Sequence, residues 1–468
     1  MEFIAKTKKR LLEPALLFGA FMYLQYVILR AGNQAGRGYL PGEVQEYVYY
    51  MIQGFVILGF LAHAFLERRL PAHVTRIITE AALLLIAAGS AGMLIIGTDT
   101  LASIIFTFVS VTLLGCIGGA VYLRMARYLS AGYDVSLGFS LGCAFAVLLQ
   151  YFTQLRFSLI FALIPLALIS AGVLFALLRR EPAEPDAGAA EGRVRAGSIV
   201  FTVLCAALLL SFTSFYNGYI HHLQIASGYT DYNVYSWPRL MMIPGFIIFG
   251  LIGRLGSGRY VPIAALCAAL AALLNSVLVS VESGYFFNMC LFYVAISASV
   301  SYYNMCFWRL AARVNYPSLL ACAGRILDSF IVVALATVGI STLPSAAVLT
   351  INIIALVLLI ILMAANGDMS FSKERTSGVP SCPETRGSVT EDAKADPFET
   401  IMERYSLTPA ELSVFRELVL TEDKQTVIGD RLSIKLRTVQ ANVTSIYNKT
   451  GVSTRAGLVG IYRDVMEG

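Results

Sequence analysis

Two residues in the apolar part of the chain carry opposite charges three positions apart, Arg325 and Asp328. At that spacing they share one face of a helix. A charge near the centre of a membrane span costs about 2.5–3.5 kcal/mol on insertion scales, so such a pair either compensates itself or faces a wet cavity. One reading is a site for a small ligand or a proton. The other is an ion pair between helices. Gln25, Gln53, Gln150, Asn275, Asn304 and Asn352 sit in similar apolar surroundings, where they either line the same cavity or bond neighbouring helices. A second set lies near the C-terminus, where Arg437, Gln440, Ala441, Thr444, Ser445 and Asn448 fall on the outer face of a predicted helix. Small polar groups mixed with a cation suit base edges and phosphates. Between residues 424 and 455, Lys424, Arg431, Lys435, Arg437, Lys449 and Arg455 are opposed by Asp430 alone. That is the electrostatic footprint expected of a surface that meets nucleic acid.

Other chemistries lack their signatures. The sequence has no phosphate loop, no catalytic-triad spacing, no histidine-kinase box and no paired catalytic carboxylates, so no enzyme activity and no cofactor is expected. The eight cysteines (Cys116, Cys143, Cys205, Cys267, Cys290, Cys306, Cys322 and Cys382) form no CxxC or Cys/His cluster, and no metal site is expected. His221 and His222 fall in the longest outer loop near Tyr219, Tyr229, Tyr232, Tyr235 and Trp237. Those aromatics read first as an interfacial belt and second as the mouth of a ligand path.

The elements that must position these residues follow from composition. Of 468 residues, 57% are apolar and only 14% charged, with mean hydropathy +0.70. Soluble domains run near 45–50% apolar and about 25% charged, so a soluble enzyme, a disordered chain and a disulfide scaffold are excluded. A spanning helix needs about 20 mostly apolar residues. Twelve candidates occur. The first six are Pro14–Leu29, Tyr47–Leu66, Ile77–Ile96, Leu101–Leu123, Val135–Tyr151 and Leu159–Leu178. The second six are Leu240–Ile252, preceded by Ile199–Tyr219 and followed by Val261–Val281, Phe286–Trp308, Leu319–Val338 and Ala346–Met363. A polar central loop, 179–198, separates the sets.

Loop charge is lopsided. Lys6, Lys8, Lys9, Arg10, Arg68, Arg69, Arg76, Arg124, Arg127, Arg179, Arg180, Arg193, Arg195, Arg254, Arg259, Arg309 and Arg313 fall on one side, against Arg30, Arg37, Arg156 and Arg239 on the other. The positive-inside rule then puts both termini and the central loop in the cytoplasm of a multi-pass bacterial inner-membrane protein. The basic start reads as a retained first span rather than a cleaved signal, and Glu80, near Arg76, as a snorkelling interfacial charge.

After Met363 the chemistry changes. The expected division is a membrane domain 1–366, a flexible tether 367–397 rich in Ser, Glu, Lys, Pro and Gly, and a soluble tail 398–468. In the tail, Thr408-Pro409-Ala410-Glu411 is a capping box with Pro at the first helical position. A short helix over Thr426–Leu432, a turn at Ser433-Ile434-Lys435 and a longer helix over Leu436–Thr450 ending at Gly451 make a helix-turn-helix pattern. Ser453 is the expected cap of a last helix carrying Ala456, Val459, Ile461 and Tyr462.

The stretch Leu407–Val459 resembles the LuxR/GerE-type helix-turn-helix of bacterial transcription regulators. Leu407-Thr408-Pro409, Glu411, Arg431-Leu432, Thr438-Val439, Ile446-Tyr447, Lys449, Gly451-Val452-Ser453 and Arg455-Ala456 carry the resemblance. It implies a four-helix domain that binds promoter DNA as a homodimer through its last helix. Base readers then fall at Gln440, Ala441 and Thr444, and phosphate contacts at Thr438, Asn442 and Lys449, with Arg437 added from its charge. Gln440 and Asn442 depart from the Lys and His usual there, and a Gln at 440 suits adenine. The six-plus-six arrangement over Pro14–Met363 resembles the major facilitator superfamily in topology. Its loop motif is reduced to Gly59, Glu67, Arg68 and Arg69 in the first half, with a closer echo at Gly250–Arg259 in the second.

The expected fold is therefore all-α: a polytopic, transporter-like twelve-helix bundle plus a four-helix helix-turn-helix domain. The expected function is a membrane-embedded regulator that senses an unknown small molecule and binds double-stranded promoter DNA. The alternative is a secondary transporter of the major facilitator type with a regulatory C-terminal domain.

Overall fold

The computed structural model describes residues 2–34, 42–96, 101–156, 160–180, 196–226, 237–255, 260–278, 281–314, 317–337, 343–365, 397–405, 407–421, 423, 425–432, 434, 436–452 and 454–467. Regular structure among them is helical throughout. The chain divides into two compact units, Met1–Val379 and Pro380–Gly468. The expected tether, most of the central loop, the side chains of His221 and His222, and Tyr229, Tyr232 and Tyr235 lie outside the described residues.

The first unit is built from α1 (Glu2–Gln34), α2 (Gly42–Arg69), α3 (Ala72–Ile96), α4 (Leu101–Ser130), α5 (Val135–Gln150), α6 (Ile160–Arg179), α7 (Ala196–Ala226), α8 (Met242–Arg254), α9 (Val261–Leu278), α10 (Val281–Ala311), α11 (Pro317–Thr337) and α12 (Ser345–Ala365). Among the described residues eight of these are long and apolar enough to cross a bilayer, and two more apolar stretches are shorter. The unit is a multi-pass membrane protein. Its eighth helix starts at Met242, after a 3-10 turn at Trp237–Met241, and α5 runs on into a π-helical turn at Tyr151–Arg156.

The two halves, α1–α6 and α7–α12, meet along α5 against α8, α2 against α11, and α4 against α10 and α11. Small residues set how closely helices approach within a half. A Cβ at Gly59 of α2 would strike the carbonyl of Thr112 and lie 2.8 Å from Gly115 Cα of α4. In lipid, packing rather than hydrophobic drive holds helices together, so this contact fixes the pair.

Several cations of the basic loops are scaffold. Arg124 donates to the carbonyls of Leu178 and Arg180, both at 2.9 Å, joining α4 to the end of α6. Arg180 reaches Glu13 at 2.8 Å and Arg127 reaches Glu67 at 3.4 Å. Arg254 of α8 pairs with Asp134, which caps α5, at 3.0 Å and so ties the halves. Glu80, expected as an interfacial charge near Arg76, lies 3.9 Å from Arg179 at the end of α6.

The tail contains five helices: α13 (Pro397–Tyr405), α14 (Pro409–Leu420), α15 (Gln425–Arg431), α16 (Leu436–Thr450) and α17 (Arg455–Glu467). The expectation of four is corrected by α13. Phe398 and Ile401 are buried in the tail core, with Met402 and Tyr405 packed against it. That is an i, i+3, i+4, i+7 stripe. α14 opens with Thr408 and Glu411 in a reciprocal capping box. α16 ends at Gly451, whose φ of 73° is left-handed. Ser453 lies outside the described residues, and the Thr454 hydroxyl accepts from the Gly457 N–H at 3.2 Å at the start of α17.

Candidate functional site

The seam between the halves carries the first candidate site. Near the basic end it is filled by rings from both sides. Trp308 of α10 meets Phe18 of α1, Tyr122 of α4 and Phe139 of α5 at centroid distances of 5.5, 5.7 and 5.3 Å, and Phe139 meets Phe246 of α8 at 6.0 Å. These rings are buried, and they seal that level of the seam.

Next to the seal lie Arg325 and Asp328. They form an ion pair within α11. Leu319 and Phe330 mark the outer face of this helix, 50% and 60% exposed. At about 3.6 residues per turn, Arg325 and Asp328 stand on roughly the opposite side. Their own-face neighbours Ala321, Cys322 and Ser329 are buried, and so is Tyr303, whose ring fits where Gly324 lacks a Cβ. Yet the Arg325 and Asp328 side chains keep 14% and 21% exposure. That residual exposure lies on the inward face of the helix.

Three sequence-predicted residues come together here: Arg325 and Asp328 as a pair, and Gln53 beside them. Gln53 of α2 accepts from the Ser329 hydroxyl at 3.0 Å, one residue beyond Asp328, so α2 and α11 join across the seam. Gln25 is buried on α1, with no contact to the pair among the described residues. The other amides divide. Asn275 donates to Asn288 at 2.6 Å inside the second half, and Gln150 accepts from Arg239 at 2.9 Å, with the Arg239 guanidinium 5.3 Å from the Tyr26 ring. Gln150 thus binds the halves together rather than lining the cavity, and Asn352 is fully buried on α12. Asn304 donates to the Val300 carbonyl of its own helix at 2.9 Å. On α10, Ser301, Asn304 and Trp308 follow an i, i+3, i+7 stripe, and Ser301 Oγ, Asn304 Oδ1 and Trp308 Nε1 are buried without a hydrogen-bond partner among the described residues. Buried polar atoms without partners are few in native proteins and call for an explanation. Sequence reading missed Ser301, Tyr303, Trp308 and Ser329. The stripe spacing on α10 was the available signal.

The second candidate is the outer face of α16. Val439, Val443 and Ile446 turn inward, while Arg437, Thr438, Gln440, Ala441, Thr444 and Asn448 are exposed and Asn442 is half-buried. α15 and α16 meet through a tight turn in which Ile434 N–H donates to Gly429 at 2.9 Å. A Cβ on Gly429 would come 2.9 Å from the Ile434 carbonyl.

Several expected contributors to the basic footprint are engaged elsewhere. Lys449, expected at phosphate, reaches Glu411 at 2.8 Å, and Ser445 donates to the same carboxylate at 2.6 Å. Glu411 also accepts from the Thr408 N–H at 2.7 Å. Lys449 first, then the Ser445 and Thr408 hydrogen bonds, hold its carboxyl down to about 2. Arg431 pairs with Glu417 and Asp423, which raises its pKa. Arg455 donates to the carbonyls of Leu418, Thr421 and Asp423, closing the end of α14. Counting charge along the sequence therefore overstated the cations free to meet DNA. The physical reason is that these cations meet carboxylates and helix-end carbonyls of the domain itself. In α17, Leu458 is buried and Ile461, Tyr462 and Val465 pack on the tail's own core.

No family model matches the chain, and no curated protein matches it. Among solved structures, it is similar to the crystal structure of a bacterial homologue of the iron transporter ferroportin in an outward-facing state with soaked iron. Identity is 13%, with 76% of this chain and 98% of that one covered at a TM-score of 0.50. It is also similar to the human organic anion transporter MFSD10 (TETRAN), at 15% identity, 76% and 99% coverage and a TM-score of 0.49. At these identities the likeness is one of fold. The membrane unit is a helical bundle that shares the fold of that ferroportin homologue.

Proposed function

We propose that the chain binds a small molecule in the seam of its transporter-like unit, and that its tail contacts promoter DNA, making it a membrane-embedded transcriptional regulator. The observation that carries the first part is the accessible surface of Arg325 and Asp328 on an inward helix face. The DNA part is supported by the Gly429 turn between α15 and α16, by the exposed polar stripe of α16, and by the LuxR/GerE-like residues of the tail. In this reading Gln440, Ala441 and Thr444 meet bases. Thr438, Asn442 and Arg437 meet phosphates, and Lys449 acts through Glu411. The lopsided loop charge supports cytoplasmic termini in a bacterial inner membrane. Two tails would meet as a homodimer on two half-sites through the outer side of α17.

A second reading is a secondary transporter of the major facilitator type whose tail is regulatory. The fold itself favours it, since both similar structures are transporters while nothing in the comparisons bears on DNA. Chromatin immunoprecipitation of the membrane-resident protein separates the two. Discrete peaks that vanish in a Gln440→Ala/Thr444→Ala variant of equal abundance support the regulator. Absence of peaks, together with solute flux in proteoliposomes, supports the transporter.

A further inference from the structure

We propose that His63 is a proton-binding switch of the seam: its neutral ring permits the packing of α2, α4 and α11 described above, and protonation from the basic end loosens that packing. His63 lies on α2 six positions before Arg69, the last residue of the helix, so about 9 Å from that end at 1.5 Å per residue. It is 2% exposed, and its Nδ1 is buried without a hydrogen-bond partner among the described residues. An apolar side chain would fill the same space without leaving a polar atom unpaired. The imidazole therefore calls for a reason.

The contacts place the ring where its movement reaches both halves. A Cβ on Gly119 of α4 would lie 2.6 Å from His63 Nδ1, so the ring lies against bare α4 backbone. The Gly119 carbonyl accepts from Cys322 Sγ of α11 at 3.9 Å, which brings the second half to the same residue. One turn before His63, Phe60 meets Tyr122 at 5.5 Å, and Tyr122 meets Trp308 of the aromatic seal at 5.7 Å. The charged and titratable groups at this level are Glu67 on α2, Cys116, Tyr122 and Arg127 on α4, and Cys322 and Arg325 on α11. From α1, Phe21 reaches the adjacent Gly118, while His73 and Arg76 of α3 are exposed. Of these groups Arg127 is the charge whose field reaches the ring, and Glu67 is paired with it at 3.4 Å. Protonation makes donors of both ring nitrogens. It would turn an N–H toward the α4 backbone at Nδ1 and add a buried cation beside Arg127, and a buried charge without a partner is costly. Both costs are relieved when the ring withdraws from Gly119. That withdrawal parts α2 from α4 and draws Phe60 from the seal.

The test uses full-length protein in nanodiscs carrying Trp237→Phe, which leaves buried Trp308 as the remaining one of the two tryptophans. Acrylamide quenching of Trp308 fluorescence then reads the seal. As pH falls from about 8 to about 5, the window in which histidine changes charge, quenching should rise severalfold and reversibly. His63→Gln and His63→Phe take up no proton at this position in that window. Both should stay weakly quenched throughout, a resistance that misfolding cannot produce, and if one of them fails to fold the other decides. His63→Arg carries a fixed charge and should be strongly quenched even at about pH 8. Quenching of the parent protein that does not change with pH overturns the proposal. A pH response that survives in the neutral variants also overturns it, since the titrating group then lies elsewhere. Neutral variants quenched strongly at every pH leave His63 a packing role alone, and a weakly quenched His63→Arg shows that charge there is tolerated. Either result overturns the switch.

Discussion

In the membrane unit, cations at the basic end hold separate helices through carbonyls and carboxylates, while one pair on α11 closes on itself within a single helix, on its inward face. In the tail, Arg431, Lys449 and Arg455 are engaged within the domain in the same manner, and among the described residues the exposed face of α16 carries small polar groups with Arg437. Both regions consume charge to build themselves. What remains after that consumption is the better guide to function. In the bundle it is a balanced pair aimed inward. In the tail it is small polar groups aimed outward, where base reading would weigh more than bulk attraction.

Removing a scaffold cation should break this contrast most severely. Arg455→Ala strands the carbonyls of Leu418, Thr421 and Asp423. At 1–3 kcal/mol per buried group left unmade, a loss of about 3 kcal/mol is expected. Hydrogen exchange in the full-length protein should show α14–α17 deprotected and α1–α12 unchanged. Glu411→Gln weakens the capping box and removes the Lys449 pair, a loss of about 2 kcal/mol confined to the same helices. Gly429→Ala should cost about 1–2 kcal/mol, because the new Cβ crowds the Ile434 carbonyl. DNA contact should fall more than tail stability does, because the turn sets the angle of α16.

The pH response sharpens the same point. Glu411 titrates at about 2 in the folded tail, below its ordinary range near 4.3. A depressed carboxyl contributes stability that is fully present above the unfolded value and is lost as pH falls toward the folded one. Pepsin cleavage within residues 397–467 of the full-length protein should therefore rise as pH drops from about 4 to about 2. Glu411→Gln should be cleaved readily and show a flatter pH dependence across that window.

Much of this was legible beforehand, for physical reasons that differ by region. Spanning helices are long and apolar, so their placement follows from composition, and α16 was read with its bounds because Leu436 and Gly451 bracket an uninterrupted stripe. The π-helical turn after Gln150 has no pattern of its own and was not read. Arg325 and Asp328 could be paired from spacing, but their inward direction could not, since it depends on which face of α11 meets lipid. The intramolecular partners of Arg431, Lys449 and Arg455 were not read, because they lie 8 to 38 positions away. The residues that make the tail resemble a DNA-binding family include these three, so part of that resemblance reports scaffold rather than readout.

The most direct test of the account is binding of double-stranded DNA by full-length protein in nanodiscs, titrated with salt. Wild type should bind with affinity that falls as salt rises. Arg437→Ala should reduce the slope by about 1, the signature of one lost phosphate contact. Gln440→Ala should weaken binding to selected sites while keeping the slope. No binding to DNA at low salt, with hydrogen exchange showing α13–α17 folded, would contradict the account and leave the membrane unit as a transporter with a tail of another purpose.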